Sequence, residues 1–327
     1  MLPLHDIRVL DLTRLLPGAY ATLLLANLGA EIVKVEDPRG GDTMRTLRKG
    51  PSNYFEPLNR GKRSVTLNLR SSDAALVLDA LIARADVLVE SFRPSTARRL
   101  GVDAATLCAR HPKLICASIS GFGRNGPYVE RAAHDINYQA LAGLLRPPRL
   151  PGPLVGDIGS AQQAALAIVA ALFERMRTGA GSAIDISIHE AALEWSIFPT
   201  TDDLAQACYN LYETADGQWL ALGALEEKFW TGFCQRVDLP VTATVEDVRA
   251  KMRERTRDEW LARFADADVC LTTVDTLPPS PPGGFGGTGK GGTPSEAPAL
   301  GADTDDELEA AGIDPEARRR LREAGVI

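Results

Sequence analysis

The chain has 327 residues, 45% hydrophobic and 24% charged, with a formal net charge of -7. That length supports a sizeable core and leaves room for two domains, while the acidic balance speaks against nucleic-acid binding, which wants a basic surface. Five cysteines, at 108, 116, 208, 234 and 270, are scattered and form no CxxC pair, so neither a disulfide framework nor a zinc site is expected, and a reducing interior is.

The opening stretch MLPLHDIRVLDLT has no basic n-region and no long apolar h-region, so no secretory signal is expected. Residues 7–13 read as a buried strand. Arg14 to Gly29 read as a helix with Pro17 near its first turn and Gly29 as its stop, and Glu31 to Glu36 as the next strand. This βαβ order predicts a Rossmann-like parallel sheet. The dinucleotide fingerprint is missing, because TRLLPGAY offers a single glycine where GxGxxG needs more.

After a Gly/Pro/Asn-rich loop over 38–61, Val65 to Leu69 read as a strand, Ser72 as the cap of a helix running to Arg84, and Asp86 to Glu90 as another strand. Arg60, Lys62, Arg63 and Arg70 flank the first of these strands, and Arg93, Arg98 and Arg99 follow the second. Such a set can grip a polyphosphate, although a run of charges is more often a solvated face. Leu114 to Ser120 form one more strand, ending in GFGRNGP.

The stretch 131–177 concentrates the acid-base candidates. His134-Asp135 precedes apolar positions Ile136, Ala140, Leu141 and Leu144 at helical spacing over 135–145. A Pro/Gly-rich loop then leads to Asp157, flanked by Gly156 and Gly159, and to an Ala/Leu/Ile/Val-rich helix ending in Glu174, Arg175 and Arg177. An imidazole and a carboxylate on opposite sides of a substrate carbon can take a proton from one face and return one to the other. Spacing alone also allows Asp135 and Asp157 to be N-caps and the histidine to be structural. The nearly uncharged run 158–173 contains Gly, Ser and Gln, too polar and too short for a membrane span.

Ala183 to Ile188 read as a strand, and His189 as a cap-region residue of a helix through Trp195. Residues 211–225 alternate around Asp216-Gly217, a hairpin signal. Helices over 226–237, 245–255 and 257–265 complete a smaller α+β domain. Residues 277–300 are a Pro/Gly-rich linker, and 303–327 hold two short helices. The motif GFGGTGK at 284–290 fits GxxxxGK, but Gly291 stands where a P-loop needs Ser or Thr, and PPSPP rather than a strand precedes it. No ATP site is expected there. The resulting division is a large domain over 1–190 with a C-terminal return over 300–327, a small domain over 191–276, and a linker over 277–299.

RAAHDINYQALAGLL resembles the GHDINY segment of α-methylacyl-CoA racemases, a branch of the family III (formyl-CoA-transferase-like) CoA-transferase superfamily. The resemblance continues, in family order, through LDLTRLLPGAYATLLLANLGAEIVKVEDPRGGD, NRGKRSVTLNLR, DVLVESFRP, SISGFGRNGPY, Gly156-Asp157, RTGAGSAIDISIHEA and YETADGQWLALGALEEKFW. A collinear set is specific where each piece is not, and it displaces the cap-only and solvated-face readings.

The resemblance implies that His134 and Asp157 are the two acid-base residues, with Asp135 and Glu226 orienting them and sharing protons. It implies that CoA lies against Arg39, Leu67, Asn68, Leu69, Arg70, Ser91, Phe92, Arg93 and Arg99, with Ala133, Ile136, Asn137 and Tyr138 on the thioester side. Family transferases use the same Asp as a nucleophile and generally lack the histidine. His134 therefore favours epimerisation of 2-methylacyl-CoA thioesters through an enolate, stabilised by backbone N–H groups near Asp157 or Asp135. A CoA-transferase working through an aspartyl anhydride at Asp157 is the alternative, and an inactive acyl-CoA-binding relative the third reading.

No metal or redox cofactor is implied, and no nucleic-acid or membrane partner. The family fold is two-domain and an interlocked homodimer, in which Glu226 would come from the partner chain. A cytoplasmic place in fatty acid metabolism is expected. Ala133 stands where the family usually has Gly, and the segments 146–153, 199–208 and the linker after Leu277 are short, from which an altered acyl specificity is expected.

Overall fold

The computed structural model describes residues 1–47, 54–197, 204–275 and 296–327. The chain divides into two compact units, Met1–Ile197 with Gly283–Ile327, and Phe198–Pro282. Residues 199–203, the GFGGTGK motif and nearly all of the predicted linker lie outside the described residues.

The first unit is built on a six-stranded sheet of β1 (Arg8–Leu12), β2 (Glu31–Glu36), β3 (Arg63–Thr66), β4 (Val87–Glu90), β5 (Ile115–Ser120) and β6 (Ala183–Ser187). Their order is β3-β2-β1-β4-β5-β6, and every pairing is parallel. The strands β1, β4 and β5 are buried almost throughout, as a parallel sheet covered on both faces requires. The connecting helices are α1 (Leu15–Asn27), α2 (Met44–Leu47), α3 (Phe55–Asn59), α4 (Ala74–Ile82), α5 (Pro94–Leu100), α6 (Ala104–Arg110), α7 (Asp135–Leu141), α8 (Val155–Thr178) and α9 (Ile188–Glu194). One face of the sheet packs on α1, α7, α8 and α9. The other packs on α4, α5 and α6.

Helix α8 is the spine of the first layer. Ala161, Ala164, Ala165, Ile168, Ala171 and Leu172 form its buried face, and the alanines let it approach α1 and β5 closely. At 24 residues it is longer than its uncharged stretch suggested, and by length and composition alone it could cross a membrane. Its packing between α1, α9 and the sheet instead makes it the core helix of this unit.

Several boundaries differ from the sequence expectation. Strand β3 ends at Thr66, not Leu69. The N–H of Leu67 still donates to the Glu36 carbonyl, but that of Asn68 donates to the Val326 carbonyl at 2.7 Å, drawing the chain out of the ladder. Ser72 is not a cap, since α4 starts at Ala74 behind Asp73, whose side chain makes no capping bond. Helix α7 stops at Leu141 because Gly143 turns left-handed (φ 74) and Leu144 N–H bonds back to the Gln139 carbonyl, a C-terminal stop that glycine favours. Ser187 caps α9 by accepting the Glu190 N–H, with His189 in the first turn beside it.

The second unit holds an antiparallel sheet of β7 (Tyr209–Glu213), β8 (Trp219–Gly223) and β9 (Leu271–Thr273). Its hairpin turns at Asp216-Gly217, where Gly217 has φ 71. Helices α10 (Glu227–Val237), α11 (Val245–Met252) and α12 (Arg257–Arg263) cover it. Trp230, Phe233 and Phe264 stack in sequence over a core that includes Trp260, Tyr212 and Met252.

The C-terminal helices α13 (Thr304–Ala310) and α14 (Pro315–Glu323) return to the β3 edge of the first unit. Buried Glu307 on α13 meets Arg8, Arg63 and Arg84. Arg63 is thus a fastener for this helix and not a phosphate ligand. Lys62 is likewise withdrawn from the expected basic set. Its ammonium is buried and donates to Asp11, Thr22, Asn59 and the Ala19 carbonyl. Lys34, equally buried, pairs with Asp42 at 3.1 Å and donates to the Thr13 carbonyl.

Candidate active site

The strand order reverses direction between β1 and β4, and ligands of open α/β sheets bind outside the carboxyl ends at such a point. Here the β1–α1 and β4–α5 turns are tied together, Arg14 N–H donating to Ser91 Oγ at 2.9 Å. Leu15 takes a left-handed backbone (φ 63) in this turn, uncommon for a branched residue. Above the junction opens a cleft of about 560 Å³. Its walls come from Arg14, Leu15 and Pro17, from Ser91, Phe92 and Arg93, from Ile119 to Gly121 at the end of β5, and from the first residues of α7 and α8. His134, Asn137, Tyr138, Leu154 and Asp157 line it, as does Ala133.

His134 is the N-cap residue of α7, its own N–H donating to Asn137 Oδ1 at 3.0 Å. Asp157 is the third residue of α8, not its cap. Asp135 lies buried between the two helices. One of its oxygens accepts the Asp157 N–H at 2.9 Å, and the other accepts from the Gln139 side-chain amide. Asp135 thus reaches across from α7 to satisfy one of the amides that the start of α8 leaves open. Gly156 makes room for it, since a Cβ there would stand 3.2 Å from Asp135 Oδ1. Of the backbone N–H groups expected near Asp157 or Asp135, that of Asp157 itself is already taken by Asp135.

Burial raises the Asp157 carboxyl from the usual carboxylate range to about 7, and the adjacent Asp135 carboxylate adds to the rise. Desolvation and a like charge act in the same direction on a carboxylic acid. Tyr138, whose hydroxyl donates to the Ala133 carbonyl at 3.3 Å, is pushed up to about 12, chiefly by burial. It therefore remains a neutral phenol at physiological pH. Gly121 permits this placement, because a Cβ there would collide with the Tyr138 hydroxyl.

A smaller cleft of about 70 Å³ adjoins, sharing Arg14 and Phe92 with the first. Leu67, Asn68, Leu69, Arg70 and Arg99 line it. Among the described residues, Arg14, Arg70, Arg93 and Arg99 enter no ion pair, leaving four guanidinium groups around the two clefts for an anionic ligand.

The structure thus gathers most of the expected site. His134, Asp157, Ala133, Asn137, Tyr138, Ser91, Phe92 and Arg93 share the large cleft, and Leu67 to Arg70 and Arg99 share the small one. Arg39 lines neither; its side chain is spent on Asp37, at 3.0 and 3.1 Å. Ile136 also lines neither and is 41% exposed. Arg98 faces a separate hollow beside Glu90 and Arg124. Glu226 belongs to the second unit, where it is the N-cap residue of α10. Sequence reasoning missed Arg14, Leu15 and Gln139. The signal for the first two is the TRLLPG turn at the carboxyl end of the first strand. Among the described residues no group of three or more His, Cys, Asp or Glu could hold a metal ion.

Comparison with known proteins gives the family of the chain. A family model described as CoA-transferase family III matches residues 4–278. Succinyl-CoA–D-citramalate CoA-transferase of Chloroflexus aurantiacus is 36% identical over 267 residues, covering 74% of this chain and 66% of that protein. Alpha-methylacyl-CoA racemase of Mus musculus is 35% identical over 309 residues, covering 84% of this chain and 78% of that protein. The crystal structure of a CAIB/BAIF family protein from Brucella suis superposes with a TM-score of 0.81 at 26% identity, covering 95% of this chain and 99% of that one.

Proposed function

The chain belongs to CoA-transferase family III, and within that family we propose that it epimerises 2-methylacyl-CoA thioesters by proton transfer without a cofactor. The observation that carries this reading is that His134 and Asp157 line one cleft. A thioester acidifies its α-carbon. One of the two residues removes the α-proton, the electron pair moves to the thioester oxygen as an enolate, and the other residue delivers a proton to the opposite face. A carboxyl near neutrality is suited to the exchange, because it neither holds nor loses its proton too firmly at working pH. With the Asp157 amide occupied, the N–H of Gly156, one residue earlier on α8, is the donor this reading assigns to the enolate. The CoA phosphates would meet Arg14, Arg70, Arg93 and Arg99.

The pH dependence tests this assignment. A racemase needs one acid-base residue ionised and the other protonated, so kcat/KM follows a bell that is the same for both epimers, with one limb near pH 7 set by Asp157. Loss of the neighbouring negative charge in Asp135→Asn favours ionised Asp157, so that limb moves to lower pH. A rate independent of pH between 5 and 9, a range of roughly the mid-physiological kind, would remove Asp157 from the chemistry.

The alternative, a CoA-transferase with Asp157 as nucleophile, draws support from the citramalate enzyme's similarity and needs Asp157 but not His134. Glu226 enters either reading through a homodimer, in which it is supplied by the second chain. Leu166, Phe173 and Met176 of α8, with Trp195 and Ile197 beyond α9, are largely exposed in the single chain, and an apolar group of this kind suits a self-complementary contact. Sedimentation equilibrium should give the mass of two chains; the mass of one would rule the dimer out. The reading places the enzyme in the cytoplasm, acting on branched fatty acyl thioesters.

A further inference from the structure

We propose that Gln139 is a positioning residue for the reaction: it clamps the Asp135 carboxylate against the start of α8 and so keeps a fixed negative charge beside Asp157. The proposal rests on the acid-base role given to Asp157 above.

The geometry is specific. Gln139 is buried on α7, four residues after Asp135 and therefore one helical turn along the same face. Its Nε2 donates both to Asp135 Oδ2 and, at 3.0 Å, to the Pro153 carbonyl. One amide thereby fixes the orientation of the carboxylate and pins the chain just before α8 begins. The remaining Asp135 oxygen is left to the Asp157 N–H, and the missing Cβ of Gly156 opens the approach. Asp135 has no cation among these partners. Its donors are neutral, so no countercharge stands among them.

The other groups near Asp157 do not supply that charge. Helix α1 carries no charged residue. Helix α9 meets this end of α8 through Ile188, Ala191 and Ala192, followed by Trp195. His134 and Tyr138 from α7 and Arg93 from the β4–α5 turn share the cleft, but none is a fixed anion. Freed from Gln139, the Asp135 side chain can rotate away, and Asp157 loses the part of its rise that Asp135 supplies while keeping the larger part that burial causes.

The test is a carboxyl titration of the full chain labelled with [13C]carboxyl aspartate, the Asp157 signal being identified by its loss in Asp157→Asn. In the unaltered protein it should titrate at about 7. In Gln139→Met, which keeps a long unbranched side chain but no donor, the midpoint should fall by roughly one unit, the lower end of a neighbouring-charge effect. Asp135→Asn should give a similar fall, and the double variant no further one, because both act through the same carboxylate. Gln139→Asn, a methylene too short to span both acceptors, should shift the midpoint in the same direction and serves if the methionine variant does not fold. A midpoint unmoved by either Gln139 variant while Asp135→Asn moves it, or shifts that add in the double variant, would overturn the proposal. Failure of the epimerase reading shows separately, as absent α-proton exchange by the unaltered protein, and leaves the titration intact.

Discussion

His134→Ala should lower epimerisation of a 2-methylacyl-CoA by about 10²- to 10⁴-fold, the usual contribution of a positioned acid-base group, while leaving thioester binding nearly unchanged. The fold should survive the change. His134 is an exposed residue whose structural contribution to α7 comes through its backbone, the N–H bonding Asn137 Oδ1 and the carbonyl accepting the Asn137 N–H at 2.8 Å. Binding should survive because the guanidinium groups assigned to CoA sit on other elements. Chiral analysis of the thioester and equilibrium binding, measured on the same preparation, separate the two effects. Epimerisation surviving at more than about a tenth of the original rate would exclude His134 as an acid-base group.

Lys62→Met should cost about 3–5 kcal/mol of folding stability, read from urea denaturation. The ammonium joins β1, α1 and α3 through four buried acceptors, and its removal leaves Asp11 with one cation fewer in a site that water does not reach. Asp11 is held at about 2 because the lowering pull of Lys34 and Lys62, with hydrogen bonds from Thr13 and Thr22, outweighs the rise from burial. Lys34 cannot compensate, since its ammonium is already engaged with Asp42 and the Thr13 carbonyl. Replacing Asp11 as well, in Lys62→Met/Asp11→Leu, should recover only part of the loss. It removes a charge left with Lys34 alone but strands the Thr13 hydroxyl, whereas Thr22 can still donate to the Gly18 carbonyl. A single-variant loss below about 1 kcal/mol would mean that the buried ammonium contributes little.

This network also shows where local sequence reasoning stops. Lys62 stands in the run Arg60-Gly61-Lys62-Arg63, which reads as a basic patch facing solvent or phosphate, yet its ion partner lies 51 residues away. Arg63 is claimed by Glu307 from the far end of the chain. Pairings of this kind are decided by topology, and a charge pattern carries no trace of them. By contrast, β2 was legible to the residue, because a short β-branched run between a helix-stopping glycine and Asp37-Pro38 has few alternatives. Strand β9 was not legible, being only three residues long and defined by its pairing with β8.

The candidate site was legible as a set of residues but not as a mechanism. The HDINY segment and the Gly156-Asp157 pair came from resemblance, and the fold brings His134 and Asp157 to one cleft. That Asp157 sits within the first turn of α8, with its amide taken by a carboxylate from another helix, follows from the packing of α7 on α8. Cap rules describe a helix by its own sequence and could not supply that partner. Arg39 stands apart from both clefts in this structure, in a two-residue local contact with Asp37 that a residue-by-residue resemblance does not show.

The most direct measurement is incubation of one epimer of a 2-methylacyl-CoA with the protein in D2O, without any acceptor acid, following α-deuterium by mass and configuration by chiral analysis. The account predicts deuterium gain accompanied by epimerisation. No deuterium gain, together with acyl transfer once a second carboxylic acid is supplied, would contradict it and make Asp157 a nucleophile.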